Sequence, residues 1–149
     1  MRWLALLTLC GCWASEADGP APVESTNPIS QVAPRPTQQT WAGRYICAQG
    51  PTHVVVTLDH DGANLKGTFE FSALPENPNV PHGEYSLTGT ATTSPDGEVT
   101  VTLVPGEWIE RPANYEMVGL EAHTDRERRL MTGKITYPSC STVELARAR

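Results

Sequence analysis

Leu65-Lys66-Gly67-Thr68-Phe69-Glu70-Phe71-Ser72 is the stretch whose reading decides the fold. Leu65, Gly67, Phe69 and Phe71 share one parity and Lys66, Thr68, Glu70 and Ser72 the other, as in a strand with one buried and one wet face. A helix would send alternate residues in nearly opposite directions and scatter the two rings around its circumference. The same parity recurs on both sides. Downstream, Tyr85, Leu87, Gly89 and Ala91 alternate with Glu84, Ser86, Thr88 and Thr90, and Val99, Val101 and Leu103 with Glu98, Thr100 and Thr102. Upstream, Val54, Val56 and Leu58 carry the pattern between Thr52 and Asp59. Asp61-Gly62, Asp96-Gly97 and Pro105-Gly106 are the turn dipeptides expected between paired strands.

Extended over the chain, the alternation predicts eight strands, at 41–48, 52–59, 64–72, 83–91, 98–104, 115–122, 130–137 and 140–145, and no helix. Short connections favour a meander. An all-β meander of this size closes into an eight-stranded antiparallel up-and-down barrel, because closure removes both exposed edges; a β-sandwich is the alternative. Residues 41–149 are about as many as one hydrophobic core needs, so a single domain is expected.

Ahead of the domain, Met1-Arg2 and the apolar run from Trp3 lead into Leu9-Cys10-Gly11-Cys12. One basic residue, a short hydrophobic segment and Leu-x-Gly-Cys resemble the export signal, or lipobox, of bacterial lipoproteins. The resemblance implies that residues 1–11 are a signal peptide and that the Cys12 thiol carries acyl chains such as palmitate. The expected location is then the cell envelope, with the membrane as a partner through the lipid on Cys12. Trp13, where a retention Asp would stand, resembles the default for outer-membrane sorting in bacteria with two membranes. Cleavage after Ala14, giving a soluble secreted product, is the competing reading. The apolar run is too short to span a bilayer, which takes about 20 residues.

Residues 12–40 hold Pro20, Pro22, Pro28, Pro34 and Pro36 among small polar side chains, the composition of an unstructured tether. With Cys10 removed and Cys12 acylated, Cys47 and Cys140 remain, and a pair in an exported chain is most simply a disulfide. In a closed meander the first and last strands are neighbours, so this bond would staple the seam. Neither cysteine has a second Cys or His at zinc spacing, and no metal or other cofactor is expected.

The 149 residues carry 11 Lys and Arg against 17 Asp and Glu, a formal charge of −6. Phosphate backbones are bound by clustered cations, so nucleic acid is not an expected partner. The one cluster, Arg126, Arg128 and Arg129, is interleaved with Asp125 and Glu127 and reads as a solvated hairpin tip.

Catalytic chemistry is sparse. No Gly-x-Ser-x-Gly turn is present, Asp59-His60-Asp61-Gly62-Ala63-Asn64 lacks the distant Glu of a calcium loop, and His53, His60, His82 and His123 show no ligand spacing. Pro105 to Tyr115 interrupts the strand rhythm with large apolar side chains, and Trp108, Arg111 and Tyr115 there are the candidate binding residues. Trp108 and Tyr115 read equally well as a plug over one barrel end. Glu107 and Glu110 in the same loop are a candidate carboxylate pair for a small hydrolase, and solvated loop charges are the simpler reading. The proline-stiffened stretch Leu74 to His82 reads first as an ordinary connector, with the other lip of the mouth as the alternative.

Trp41-Ala42-Gly43-Arg44-Tyr45-Ile46-Cys47, Leu65-Lys66-Gly67-Thr68-Phe69-Glu70 and Tyr85-Ser86-Leu87-Thr88-Gly89-Thr90 resemble calycin-type barrels, the avidins and lipocalins. Biotin does not carry across, because avidin pockets are walled by several tryptophans and only Trp41 and Trp108 lie in this domain. The opening Trp-x-Gly-x-Tyr-x-Cys, with Gly133-Lys134-Ile135 and Cys140 near the end, is also similar to secreted bacterial β-barrel modules with no assigned activity. Three functions follow as expectations: an envelope lipoprotein whose barrel binds a small molecule or an envelope protein at a loop-built mouth; a structural envelope module with a filled barrel; and the hydrolase. An enzyme is not expected. An open cavity beside Trp108 would favour the first and a filled interior the second.

Overall fold

In the computed structural model, which describes residues 37–148, eight strands run in chain order around a closed antiparallel barrel, each paired with the next and the last with the first. They are β1 (Gln39–Cys47), β2 (Gly50–Asp61), β3 (Asn64–Ser72), β4 (Gly83–Thr93), β5 (Val99–Glu110), β6 (Leu120–Thr124), β7 (Leu130–Ile135) and β8 (Thr142–Arg147). The up-and-down barrel is therefore correct and the sandwich alternative is not. Residues 1–11, Cys12 and most of the expected tether lie outside the described residues.

Closure follows from the parity read in the sequence. Eight strands enclose a space that side chains alone can fill, and the inward parity supplies them: Trp41, Tyr45, Val56, Leu65, Phe69, Phe71, Tyr85, Leu87, Leu103 and Leu120 are all 3% exposed or less. Tyr45 meets Phe69 edge-on at 5.4 Å and Phe69 stacks on Tyr85 at 5.0 Å, so three rings cross the barrel's middle. Inward glycines let the strands coil around this core. A Cβ on Gly67 would run into the Thr57 carbonyl, and one on Gly89 into that of Thr102.

The seam between β1 and β8 is held by register pairs from Trp41↔Arg147 to Tyr45↔Val143 and by the Cys47–Cys140 disulfide just beyond them. The Ser141 amide continues the ladder by donating to the Ile46 carbonyl at 2.8 Å.

Only β3 keeps both of its expected ends, and most of the other shifts are of one or two residues. β1 starts at Gln39, taking two residues from the expected tether. β5 runs through Pro105-Gly106 to Glu110 instead of turning there. The register slips between Tyr85 and Leu87 of β4, and Ser86 Oγ accepts the Glu107 amide at 2.8 Å, so Pro105-Gly106 marks an irregularity in the ladder. Conversely, Tyr115 to Gly119 is not strand. The Tyr85 hydroxyl donates to the Val118 carbonyl at 2.8 Å and accepts from its amide at 3.2 Å, satisfying the backbone that a ladder would have used.

The alternating direction of the strands gives the barrel two unlike ends. The long-loop end carries the β1–β2 turn, the 73–82 and 111–119 loops and the β7–β8 connection. The tight-turn end carries the start of β1, the end of β8 and three short turns, with Gly62 at φ 61° and Gly97 at φ 90°. In the third of these turns, at the Arg-rich tip, Asp125 Oδ1 accepts the amides of Arg129 and Leu130 at 2.6 and 2.9 Å.

Candidate functional sites at the two barrel ends

The long-loop end brings the expected binding residues together but buries much of them. Trp108, on β5 and not in a loop, packs edge-on against Phe71 at 6.4 Å and Tyr85 at 5.3 Å, while Tyr115 stacks on Phe71 at 5.4 Å. Arg111 lies beside them, its guanidinium 5.9 Å from the Trp108 ring centroid, within cation–π range. The rings cap the core as an aromatic plug. Trp108 lines none of the three hollows at the barrel's seam and two ends.

The other lip is clamped. Asn77 Nδ2 donates to the carbonyls of Gln49 and Pro51, at 2.6 and 3.0 Å, tying the 73–82 loop to the β1–β2 turn. Between that turn, the disulfide and the 111–119 loop lies a solvent-open hollow of about 290 Å³, lined by Tyr45, Gln49, Asn114, Tyr115 and Tyr137. Tyr115 alone of the expected binding trio lines it. Burial holds the Tyr45 hydroxyl far above the usual phenol range, so it stays protonated and accepts from Gln49 Nε2 at 3.1 Å.

Of the two loop carboxylates, Glu110 pairs with His82. His82 Nδ1 meets Glu110 Oε2 at 3.0 Å, and its Nε2 meets Glu70 Oε1 at 3.2 Å. The hydrogen bonds to Glu70 and then Glu110 hold the His82 imidazole above its ordinary pKa. All three side chains are largely exposed, so the pairs are screened and contribute little to stability. Among the described residues no group of three or more His, Cys, Asp or Glu side chains is placed to hold a metal ion.

The tight-turn end holds what the sequence reading missed. Inward parity runs on past the core to His60 on β2 and Thr124 on β6, where polar groups replace the aliphatic pattern. With Trp41, Leu58 and Met131, and with Arg128 from the β6–β7 turn, they line a cup of about 200 Å³. Trp41 and Thr124 are 2% and 5% exposed, yet Trp41 Nε1 and Thr124 Oγ1 have no hydrogen-bond partner among the described residues. Each unpaired group costs about 1–3 kcal/mol. Burial, then the cations of Arg128 and Arg147, lowers the His60 pKa, with Asp59 opposing. At neutral pH the ring is therefore uncharged, with one donor and one acceptor nitrogen.

Neither the protein-family models nor the curated proteins include a match to this chain.

Proposed function

We propose that this protein is a lipid-anchored envelope module whose sealed barrel is a rigid interaction domain, working through its surface and ends and carrying no ligand in its interior. The observation that carries this reading is the filled core capped by Trp108, Phe71 and Tyr115. A carrier barrel of this strand number leaves its centre free for a guest. Here the three rings of Tyr45, Phe69 and Tyr85 occupy it.

The anchor half of the proposal rests on Leu9-Cys10-Gly11-Cys12. β1 begins at the tight-turn end, so the chain preceding Gln39 joins the barrel there. The long-loop end carries exposed Ile109 and Tyr137, 58% and 39% accessible, and the exposed Arg111. Aromatic and Arg side chains of this kind are enriched where partner proteins dock.

A Cys12→Ser variant expressed in a bacterial host tests the reading. The native chain is expected in the membrane fraction, resisting salt and released by detergent, and the variant is expected to lose its acyl chains and its detergent-dependent extraction. Native protein recovered in the soluble fraction without lipid would support the competing cleavage after Ala14.

A further inference from the structure

We propose that the hollow at the long-loop end is a binding site for one uncharged sugar ring, a pyranose taken either free or as a unit of a glycan. The inference rests on the reading that the barrel works through its ends, and the anchor does not enter it. Three chain segments meet at this hollow: the β1–β2 turn with Gln49, the 111–119 loop with Asn114, Tyr115 and Glu116, and the β7–β8 connection with Tyr137 and Ser139. Gln49 and Tyr115 are half-buried and the other four are exposed, so each presents surface to solvent.

All three segments are pinned. The Cys47–Cys140 disulfide ties the turn to the connection, and the Cys140 amide donates to the Tyr137 carbonyl at 3.0 Å, closing the connection on itself. Tyr115 stacks on Phe71, and the Tyr85 hydroxyl holds Val118. Asn77 holds the Gln49 carbonyl, while Gln49 Nε2 donates to the Tyr45 hydroxyl at 3.1 Å and to Thr52 Oγ1 at 3.2 Å. Both amide hydrogens of Gln49 are thereby used, and its Oε1 is left to accept. A site fixed in this way before binding loses little freedom when a ligand arrives.

The lining selects the ligand. Among the described residues no Lys, Arg or His lines the hollow, so an anion finds no counter-charge there. Tyr115 and Tyr137 offer apolar ring surface, while two amides, the Glu116 carboxylate and the Ser139 hydroxyl offer donors and acceptors together. A sugar ring matches this mixture, with C–H groups on its faces and hydroxyls that both donate and accept around its edge. A quaternary ammonium ion would use the rings and Glu116 but leave the amides and the hydroxyl idle. Size agrees. An apolar cavity of about 150 Å³ holds benzene, this hollow is about 290 Å³, and a hexose has about twice as many non-hydrogen atoms as benzene.

The probes are glucose, galactose, mannose and N-acetylglucosamine, each free and as its methyl glycoside, with choline as the cationic control. Saturation-transfer NMR at about 20 mM sugar, above a Kd in the millimolar range, is expected to show transfer from the protein to at least one sugar. The backbone amide signals of Asn114 and Ser139 are expected to move saturably with that sugar, while the signal of Gly97, at the other barrel end, stays in place. Tyr137→Ala removes an exposed ring and is expected to weaken binding about fivefold. Asn114→Gly suits the local φ of 64°, so it keeps the fold, and is expected to weaken binding about threefold. Glu116→Gln is expected to stay within about threefold of the native protein, because an amide oxygen still accepts, whereas a cation would lose its partner. A methyl glycoside that binds as well as the free sugar assigns the site to a ring of a glycan, and a free sugar that binds alone assigns it to a monosaccharide. No transfer from folded protein to any sugar would overturn the proposal. So would shifts confined to other faces of the barrel, binding indifferent to Tyr137→Ala and Asn114→Gly, or choline binding tighter than every sugar. Membrane fractionation of Cys12→Ser reads the anchor separately, so failure of the envelope reading and failure of the sugar site are told apart.

Discussion

Replacing Cys47 and Cys140 together by alanine should lower the free energy of unfolding by about 4–5 kcal/mol, most of what a domain of this size has to lose. The bond joins residues 93 apart in sequence. Cross-linking so large a loop removes more conformational freedom from the unfolded chain than a short bridge would. The position adds a second reason. β1 and β2 share register from Gln39↔Leu58 to Cys47↔Gly50, whereas β1 and β8 share it only from Trp41↔Arg147 to Tyr45↔Val143. The closing pair is thus a short ladder, and the disulfide lies at its long-loop end. Changing both residues avoids leaving a lone thiol in a site where Cys47 is buried. Urea unfolding of the double variant beside the native protein measures the difference. A loss below about 1 kcal/mol would mean that the β1–β8 ladder closes the barrel unaided and the unfolded chain gains little freedom.

The second large effect is expected in the barrel's centre. Phe69→Ala should cost about 3–5 kcal/mol, the range for truncating a buried aromatic to a methyl group. Phe69 is 0% exposed and sits between Tyr45 and Tyr85, so its loss removes contacts on both sides and leaves a void that a closed ring of strands cannot collapse to fill. Val104, on the outward face of β5 and 52% exposed, supplies the contrast: Val104→Ala should change stability by no more than about 0.5 kcal/mol. Chemical denaturation of both variants reads the difference. If Phe69→Ala proves as mild as Val104→Ala, the interior is loosely packed and the filled-barrel reading fails.

The fold was legible because the core stretch of each strand keeps one parity, and eight such strands following one another through short connections favour closure. Where the reading went astray, a side chain had replaced local backbone logic. Pro105-Gly106 has the chemistry of a turn, yet Ser86 Oγ takes the Glu107 amide and carries β5 onward to Glu110. Tyr115, Met117 and Gly119 alternate like a strand, yet the Tyr85 hydroxyl captures both polar groups of Val118. Neither capture leaves a local trace, because Ser86 and Tyr85 lie 20 or more residues away from the segments they redirect.

The candidate sites were legible in part. Trp108, Arg111 and Tyr115 do gather at one barrel end, on rings that the sequence could not show to be packed against Phe71. The cup at the other end left a signal that was present but unread. His60 continues the inward series Val54, Val56, Leu58, and Thr124 continues Leu120, Ala122, so polar groups stand where a purely structural strand would carry aliphatic ones. Arg128 does belong to a solvated tip, and barrel closure, which sequence distance hides, sets this turn beside β1 and β2.

Intact mass of the protein extracted from membranes without reductant tests the proposed anchor and the disulfide seal at once. The expected species begins at Cys12, carries a diacyl or triacyl increment, and is lighter by two hydrogens than the same chain after reduction. A chain beginning at Ser15 without lipid, or one that takes up no hydrogens on reduction, would contradict it.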